Sequence, residues 1–294
     1  MPELPEVETI ARGLAQNLTG DVIESVWLGS KPEPLKSPAA EIVSTLEQAR
    51  IAGVRRVGKH IVVDLSRRLL VASRPKKQKQ IPRFARNDKG GGVAGRDAQW
   101  IVHLGMTGRL LIAKPEQELP NHTHAVLRLR SGRELRFVDP RRFGRLAVVR
   151  NGFQAPGSEP LDVGFDSFAG LFRKRKTPIK SALLNQGLLS GIGNIYADES
   201  LFRAGIRPRR RAASLTRAEL RRLYDAIREV LNEAIAAGGS SVSDYVDSNG
   251  DAGFFQFQHR VYGREGEPCL VCRTPIKRVV IAGRSAHYCP KCQK

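Results

Sequence analysis

Met1-Pro2-Glu3-Leu4-Pro5-Glu6-Val7-Glu8 opens the chain, and the rest of its 294 residues can be organised around this stretch. Removal of the initiator Met1 would leave Pro2 as a free secondary amine. α-Amino groups ionise far below lysine, so such an amine is partly unprotonated near neutral pH. Attack by it on an aldehyde-level carbon gives an iminium ion directly, and Glu3 beside it is placed to move protons. With Met1 retained, Pro2 is an unreactive tertiary amide, and a Pro/Glu-rich leader into a helix is the plainer reading of the same residues. Just downstream, Val7, Ile10, Ala11, Leu14 and Leu18 recur at helical spacing. That pattern predicts an amphipathic helix over 7–18, ended by Gly20, that anchors the terminus.

Beyond this helix the texture becomes β-like. Runs at 22–28, 61–65, 100–104 and 109–113 are rich in β-formers, and residues 125–138 read as a hairpin turning at Ser131-Gly132. Short turn-punctuated strands with few helices predict an antiparallel sandwich or barrel. Between them, residues 66–99 carry Arg74-Pro75-Lys76-Lys77 and Gly90-Gly91-Gly92 with almost nothing to bury, which predicts a disordered basic insertion. Past about residue 155 the pattern turns helical. Thr216 and Glu219 form a capping box ahead of Leu220, Leu223, Ile227, Val230, Leu231 and Ala234, and Gly238-Gly239 closes that helix. The chain therefore divides into units at 1–150, 155–258 and 259–294.

The charge is unusual: 49 Lys+Arg against 29 Asp+Glu give +20, with a pI near 10.5. Such a balance marks a polyanion binder. Nucleic acid leads, because the positive charge falls in separate clusters such as Arg173–Lys176 and Arg207–Arg211; an anionic membrane surface or a merely basic solvated surface are the alternatives. No stretch has the apolar length of a membrane span, and the start lacks a signal-peptide pattern, so a cytoplasmic or nucleoid location is expected.

The only four cysteines, Cys269, Cys272, Cys289 and Cys292, stand as two C-x2-C pairs sixteen residues apart. Two turns each offering two thiolates suit a tetrahedral Zn2+, which predicts one structural zinc; two disulfides are the alternative, disfavoured without a secretory signal.

Two further stretches carry candidate chemistry. Gly187 to Asn194 leads into Ile195-Tyr196-Ala197-Asp198-Glu199-Ser200, and Asn194 as an N-cap would leave the helix amides free to hold a DNA phosphate. What precedes is helix-like, so two turns between helices describe this stretch better than a dinucleotide-binding fingerprint. Asp139-Pro140-Arg141-Arg142-Phe143-Gly144 would present guanidiniums beside an aromatic ring, a group able to wedge into a base stack or simply a turn with solvated arginines. Met106, in Leu104-Gly105-Met106-Thr107-Gly108, is either a core plug or an exposed wedge.

Taken in order, the opening octapeptide, Leu-Gly-Met-Thr-Gly, Asp-Pro-Arg-Arg-Phe-Gly, Gly-Ile-Gly-Asn-Ile-Tyr-Ala-Asp-Glu-Ser and the four-cysteine tail resemble the bacterial formamidopyrimidine-DNA glycosylases. The resemblance spans the chain except for 66–99, and favours the purine-lesion branch over the related endonuclease VIII. It implies an α+β protein with an N-terminal antiparallel β-sandwich, a helix-two-turns-helix domain and a C-terminal zinc-finger β-hairpin. It also implies a monomer that excises oxidised purines from damaged duplex DNA and nicks the abasic site by β,δ-elimination. By similarity Pro2 attacks the sugar C1′ and Glu3 donates a proton as the ring opens. Lys59 donates a proton in β-elimination and contacts phosphate, and Arg284 serves in clamping DNA and in δ-elimination. Met106, Arg141 and Phe143 fill the void left by the everted nucleotide, while His122, Arg175, Lys180 and Asn194 contact DNA. A lesion-recognition loop is placed near Val242–Phe255. Two departures stand out: the basic insertion, and Arg278 where some relatives carry lysine, a change that keeps charge but not geometry.

Overall fold

The computed structural model describes residues 1–66, 98–242 and 245–294. The predicted basic insertion therefore lies almost wholly outside the described residues, as do two positions of the lesion-recognition loop.

Helix α1 (Leu4–Leu18) begins three residues earlier than the apolar periodicity indicates. Pro5 lies in its first turn, where a missing N–H costs nothing, and the Glu3 N–H is satisfied by Glu6 Oε2 at 2.8 Å. Strand β1 (Ile23–Leu28), helix α2 (Ala39–Leu46) and strands β2 (Arg50–Val57), β3 (His60–Ser66), β4 (Ala98–His103), β5 (Arg109–Ala113), β6 (Thr123–Leu129), β7 (Glu134–Val138) and β8 (Arg145–Val149) follow. They form two four-stranded antiparallel sheets, ordered β1-β6-β7-β5 and β2-β3-β4-β8. Of the two architectures left open by the strand pattern, the sandwich is the one formed.

The inward-facing positions of both sheets, with one face of α1 and α2, build one core around Trp100, Phe137, Ile61 and Leu14, all fully buried. The second core is helical, packing α3 (Phe165–Phe172), α4 (Ile179–Leu184), α5 (Asn194–Arg203) and α6 (Arg217–Ala236). The capping box at the start of α6 is present: Thr216 N donates to Glu219 Oε2 at 2.8 Å, and Glu219 N to Thr216 Oγ1 at 3.2 Å. Strands β9 (Lys277–Ile281) and β10 (Arg284–Tyr288) pair as a hairpin over a small third core that includes Cys269, Cys289 and Ile276.

One residue positions the site. Leu4, the first residue of α1, belongs to the helical core, whereas Val7 and Ile10 on the same helix belong to the sandwich core. Its amide donates to Gly191 O at 3.0 Å. Gly191 has φ +103°, and a Cβ there would fall 2.8 Å from a Leu4 methyl carbon. The chain start is thus pinned at the junction of the two halves.

Candidate active site

The N-terminus of α5 receives the Glu3 side chain. A helix start leaves backbone N–H groups unpaired and carries partial positive charge. Gly193 N donates to Glu3 Oε2 at 2.8 Å, Ile195 N to Oε1 at 3.0 Å and Tyr196 N to Oε2 at 3.4 Å. A Cβ on Gly193 would sit 2.2 Å from Glu3 Cδ, so only glycine admits this approach. The expectation that Asn194 caps this helix and frees its amides for phosphate is corrected. Gly193 is the cap, Asn194 is the first helical residue, and a carboxyl group of the same chain occupies the amides. The Asn194 side chain instead donates to Ser285 Oγ at 3.2 Å.

Glu3 lines a cleft of about 570 Å³ shared with Met1, Lys59, Met106, Tyr262 and Arg284. Pro2 is buried beside it, and half-exposed Met1 lies at both its edge and that of a small adjoining recess lined by Pro2, Glu6 and Ser240. Burial pushes the Glu3 pKa up, against the opposing charge of Lys59 and the amides of Ile195 and Tyr196. Burial likewise pushes the Lys59 pKa down, opposed by Glu3 and Glu6 and reinforced by Arg284. Both groups move toward neutrality, where a carboxyl can hold a proton and an ammonium can release one. Glu6, which accepts from Glu3 N, Tyr196 Oη and Ser240 N, is pushed up to about 7 by burial and then by the charge of Glu3.

Three candidate wedge residues meet on two adjoining loops. Met106 and Phe143 are exposed by 39% and 53%, unusual for large apolar side chains, which excludes the core-plug reading of Met106. The Arg141 guanidinium stacks 4.9 Å from the Phe143 ring centroid. Fully buried Asp139 ties the loops together, accepting from Thr107 Oγ1 at 2.7 Å and from Gly144 N at 2.7 Å. His122 is exposed next to this knot, its carbonyl accepting from Asp139 N at 3.0 Å. Arg175 is half-buried, with Nε donating to Leu171 O at 2.6 Å.

Lys180 requires a correction. Its side chain is fully buried, with Nζ 2.6 Å from Asp198 Oδ1 and donating also to Ser285 O. A side chain with no exposed surface cannot reach a phosphate; Lys180 ties α4 to α5 and β10. Asp198 also accepts from His287 N at 2.9 Å, while Glu199 accepts from the amides of Arg260, Val261 and Tyr262 at 2.9, 3.0 and 2.8 Å. The acidic pair of α5 thereby holds the zinc hairpin and the segment bearing Tyr262 against the cleft. Sequence reasoning missed this pair, although two acids set among the apolar residues of a short helix are the signal for buried anchors. Arg284, exposed at the start of β10, projects from the hairpin so held, and Arg278 lines the same cleft, 3.8 Å from Glu265.

The four cysteine sulfurs lie within 4.8 Å of one another, with Cys272 to Cys289 at 3.4 Å and Cys269 to Cys292 at 3.9 Å. Zn–S bonds of about 2.3 Å in a tetrahedron require sulfurs about 3.8 Å apart, whereas a disulfide requires about 2.05 Å. The donor set fits one Zn2+ and excludes the disulfide reading. Four thiolates leave the metal no open position, so its contribution is structural.

Comparison with known proteins agrees with this geometry. Residues 1–146 match the formamidopyrimidine-DNA glycosylase N-terminal domain, 156–246 the H2TH domain of the same enzymes, and 266–294 a zinc finger found in FPG and IleRS. The formamidopyrimidine-DNA glycosylase of Solibacter usitatus is 44% identical over 301 residues, covering both chains completely. That of Desulfitobacterium hafniense is 43% identical with the same coverage. The crystal structure of MutM (Fpg) from Thermus thermophilus superposes with a TM-score of 0.80 at 40% identity, covering 99% of this chain and 98% of that one. A Lactococcus lactis Fpg mutant complexed with Fapy-dG DNA gives 0.83 at 29% identity with full coverage, and MutM complexed with DNA containing carbocyclic 8-oxo-G gives 0.82 at 30%. With every domain matched in order and the chain aligned end to end with its relatives, the protein belongs to the formamidopyrimidine-DNA glycosylase family.

Proposed function

We propose that this chain removes oxidised purines, 8-oxoguanine and formamidopyrimidines, from damaged duplex DNA and then nicks the resulting abasic site, with Pro2 as the nucleophile. The observation that carries the reading is convergence. Glu3, Lys59 and Arg284 come from opposite ends of the chain into one cleft, and the carboxyl of Glu3 is held by three helix amides rather than left to solvent.

The chemistry follows from these groups. Once Met1 is removed, the Pro2 nitrogen bonds to C1′ of an everted nucleotide as the bond from C1′ to the damaged base breaks. Glu3, whose pKa burial raises, protonates the sugar ring oxygen as the ring opens to the iminium ion. Lys59 donates a proton as the 3′ phosphate leaves, and Arg284 assists loss of the 5′ phosphate. Met106, Arg141 and Phe143 fill the stack, and His122, Arg175 and Asn194 steady the DNA backbone. Zinc holds the hairpin from which Arg284 projects. We further take the protein to act as a monomer at the bacterial nucleoid in the cytoplasm, with units 1–150, 155–258 and 259–294. Among the described residues no helix is long and apolar enough to cross a membrane.

Borohydride trapping on duplex containing 8-oxoguanine tests the reading. A covalent adduct that disappears in Pro2→Gly is expected. Binding without adduct would instead make the chain a noncatalytic DNA-binding zinc protein, and preference for oxidised pyrimidines would place it with endonuclease VIII.

A further inference from the structure

Arg56 and Glu159 lie outside the cleft, and neither has a part in the chemistry above. Arg56, at the end of β2, is only 7% exposed in its side chain. Its Nε donates to Glu8 Oε2 on α1 at 2.8 Å, and its Nη1 donates to Gly58 O at 3.1 Å and to Glu159 Oε2 at 2.7 Å. The other oxygen of Glu159 accepts from Gly58 N at 2.5 Å. One carboxylate and one guanidinium thus hold both backbone groups of Gly58, the residue that aims Lys59, and Arg56 ties them to Glu8 in α1.

Glu159 stands in the segment between the two large cores. Its neighbours pair with the helical half: Ser158 N donates to Leu188 O at 3.0 Å, Ser190 N to Ser158 O at 2.9 Å, and Gly157 N to Ser190 Oγ at 3.3 Å. Gly58 has φ +59°, and a Cβ there would meet Ser190 at 3.1 Å, so this turn packs directly on the helical half. The turn before the catalytic lysine is therefore referenced to the second domain by the hydrogen bonds of Glu159 as well as by packing on Ser190.

From this geometry we infer that Glu159, acting through Gly58 and Arg56, is a positioning residue that sets Lys59 for strand cleavage and makes its placement depend on how the helical domain is seated. The inference rests on the roles given above to Pro2 and Lys59. In the elimination step the C2′ proton passes to water, the C3′–O3′ bond breaks and the departing phosphate oxygen takes its proton from Lys59. Pro2 forms its carbon–nitrogen bond before that step and is not held by Glu159. Misplacing Lys59 should therefore let the covalent intermediate build up.

The test uses the full-length, Met1-processed protein on duplex with a preformed abasic site under single-turnover conditions, with borohydride-trapped adduct and nicked product quantified together. In Glu159→Ala the nicking rate should fall at least tenfold while early trapped adduct equals or exceeds that of the unaltered protein. Arg56→Met should behave alike, and combining the two should add less than threefold, because both act through one turn. Glu159→Gln keeps the side-chain shape but only one of the two acceptor oxygens, its amide nitrogen facing a donor, so it should show the same selective loss of nicking to a smaller degree and serves where Glu159→Ala does not fold. Adduct and nicking falling in parallel, or nicking within twofold of the unaltered protein, overturns the inference while leaving the Pro2 reading intact. Absence of adduct in the unaltered protein brings down both.

Discussion

Glu6 shows how far a single buried carboxyl can govern the site. It accepts from Glu3 N, Tyr196 Oη and Ser240 N, and burial together with the charge of Glu3 raises its pKa to about 7. Unfolded, the same group ionises near 4.5. Between those pH values the folded state holds the extra proton, so stability must fall as pH rises through the window, by on the order of 3 kcal/mol in total. Denaturant unfolding from pH 4.5 to 8 should show this loss, and Glu6→Gln should flatten it; an unchanged slope in the variant would assign the effect elsewhere. Lys180 yields a contrasting prediction. Lys180→Ala leaves Asp198 buried without its cation and should cost about 3–5 kcal/mol in thermal or chemical unfolding. Because Lys180 touches no solvent, the slope of log affinity against log salt should not change for the folded fraction of Lys180→Met, which fills the space of the stem but leaves Asp198 without its cation as alanine does. Arg175→Ala, at a half-buried cation proposed to steady the DNA backbone, should by comparison reduce that slope by about one.

Helix α5 does two jobs, one at its N-terminus and one at its middle. Its first amides hold Glu3, and Asp198 and Glu199 hold β10 and the 260–262 segment. This explains why a ten-residue helix buries both acids: Glu199 satisfies three backbone N–H groups, and Asp198 satisfies that of His287 together with the Lys180 ammonium, groups otherwise stranded at the junction. Gly193→Ala isolates the first job. The added methyl carbon would lie 2.2 Å from Glu3 Cδ, while φ at this residue is −127° and tolerates alanine. The variant should fold and bind abasic-site duplex within a few-fold of the parent, yet excise base at least about 100-fold more slowly, in line with the loss of a positioned proton donor. Glycosylase kinetics beside a binding titration check this, and normal excision would mean that Glu3 does not need the helix end. α5 was legible as a helix from its pattern, but its capping was not. Asn194 is the better N-cap by residue type, and Gly193 takes the position because only a residue without a side chain admits Glu3.

The molecule as a whole is two cores and a metal-held hairpin closed around a cleft. Leu4 bridges the cores, and Glu159 hydrogen-bonds Arg56 and the Gly58 turn, so the chain start and the turn before Lys59 are each tied to both halves. The hairpin is docked at several places, through Asp198 to His287, Lys180 to Ser285, and Gln293 Nε2 to Ile206 O at 2.8 Å. Zinc removal by chelation, or Cys269→Ser, should release Arg284 from the cleft. The expected result is loss of tight DNA binding and of the δ-elimination product, with the sandwich core still folded by near-ultraviolet circular dichroism. If metal-free protein bound and cleaved DNA normally, the hairpin would not depend on its metal.

Read alone, the sequence determined the elements whose pattern is local. The period of α1, the capping box of α6, the hairpin at Ser131-Gly132 and the paired cysteines each need only neighbours within a few residues. It left α2, β2 and β8 unassigned: α2 is short, and β2 carries Arg55-Arg56 and Gly53 within a strand whose face is set by its partners. It also mistook Lys180 for a surface cation, because lysine is hydrated unless a distant carboxylate meets it. Which charges are paired, which amides are taken and which glycines lie under another residue depend on contacts between residues as far apart as 3 and 193, or 58 and 159. Those contacts exist only after the cores have packed, so tertiary structure alone decided them.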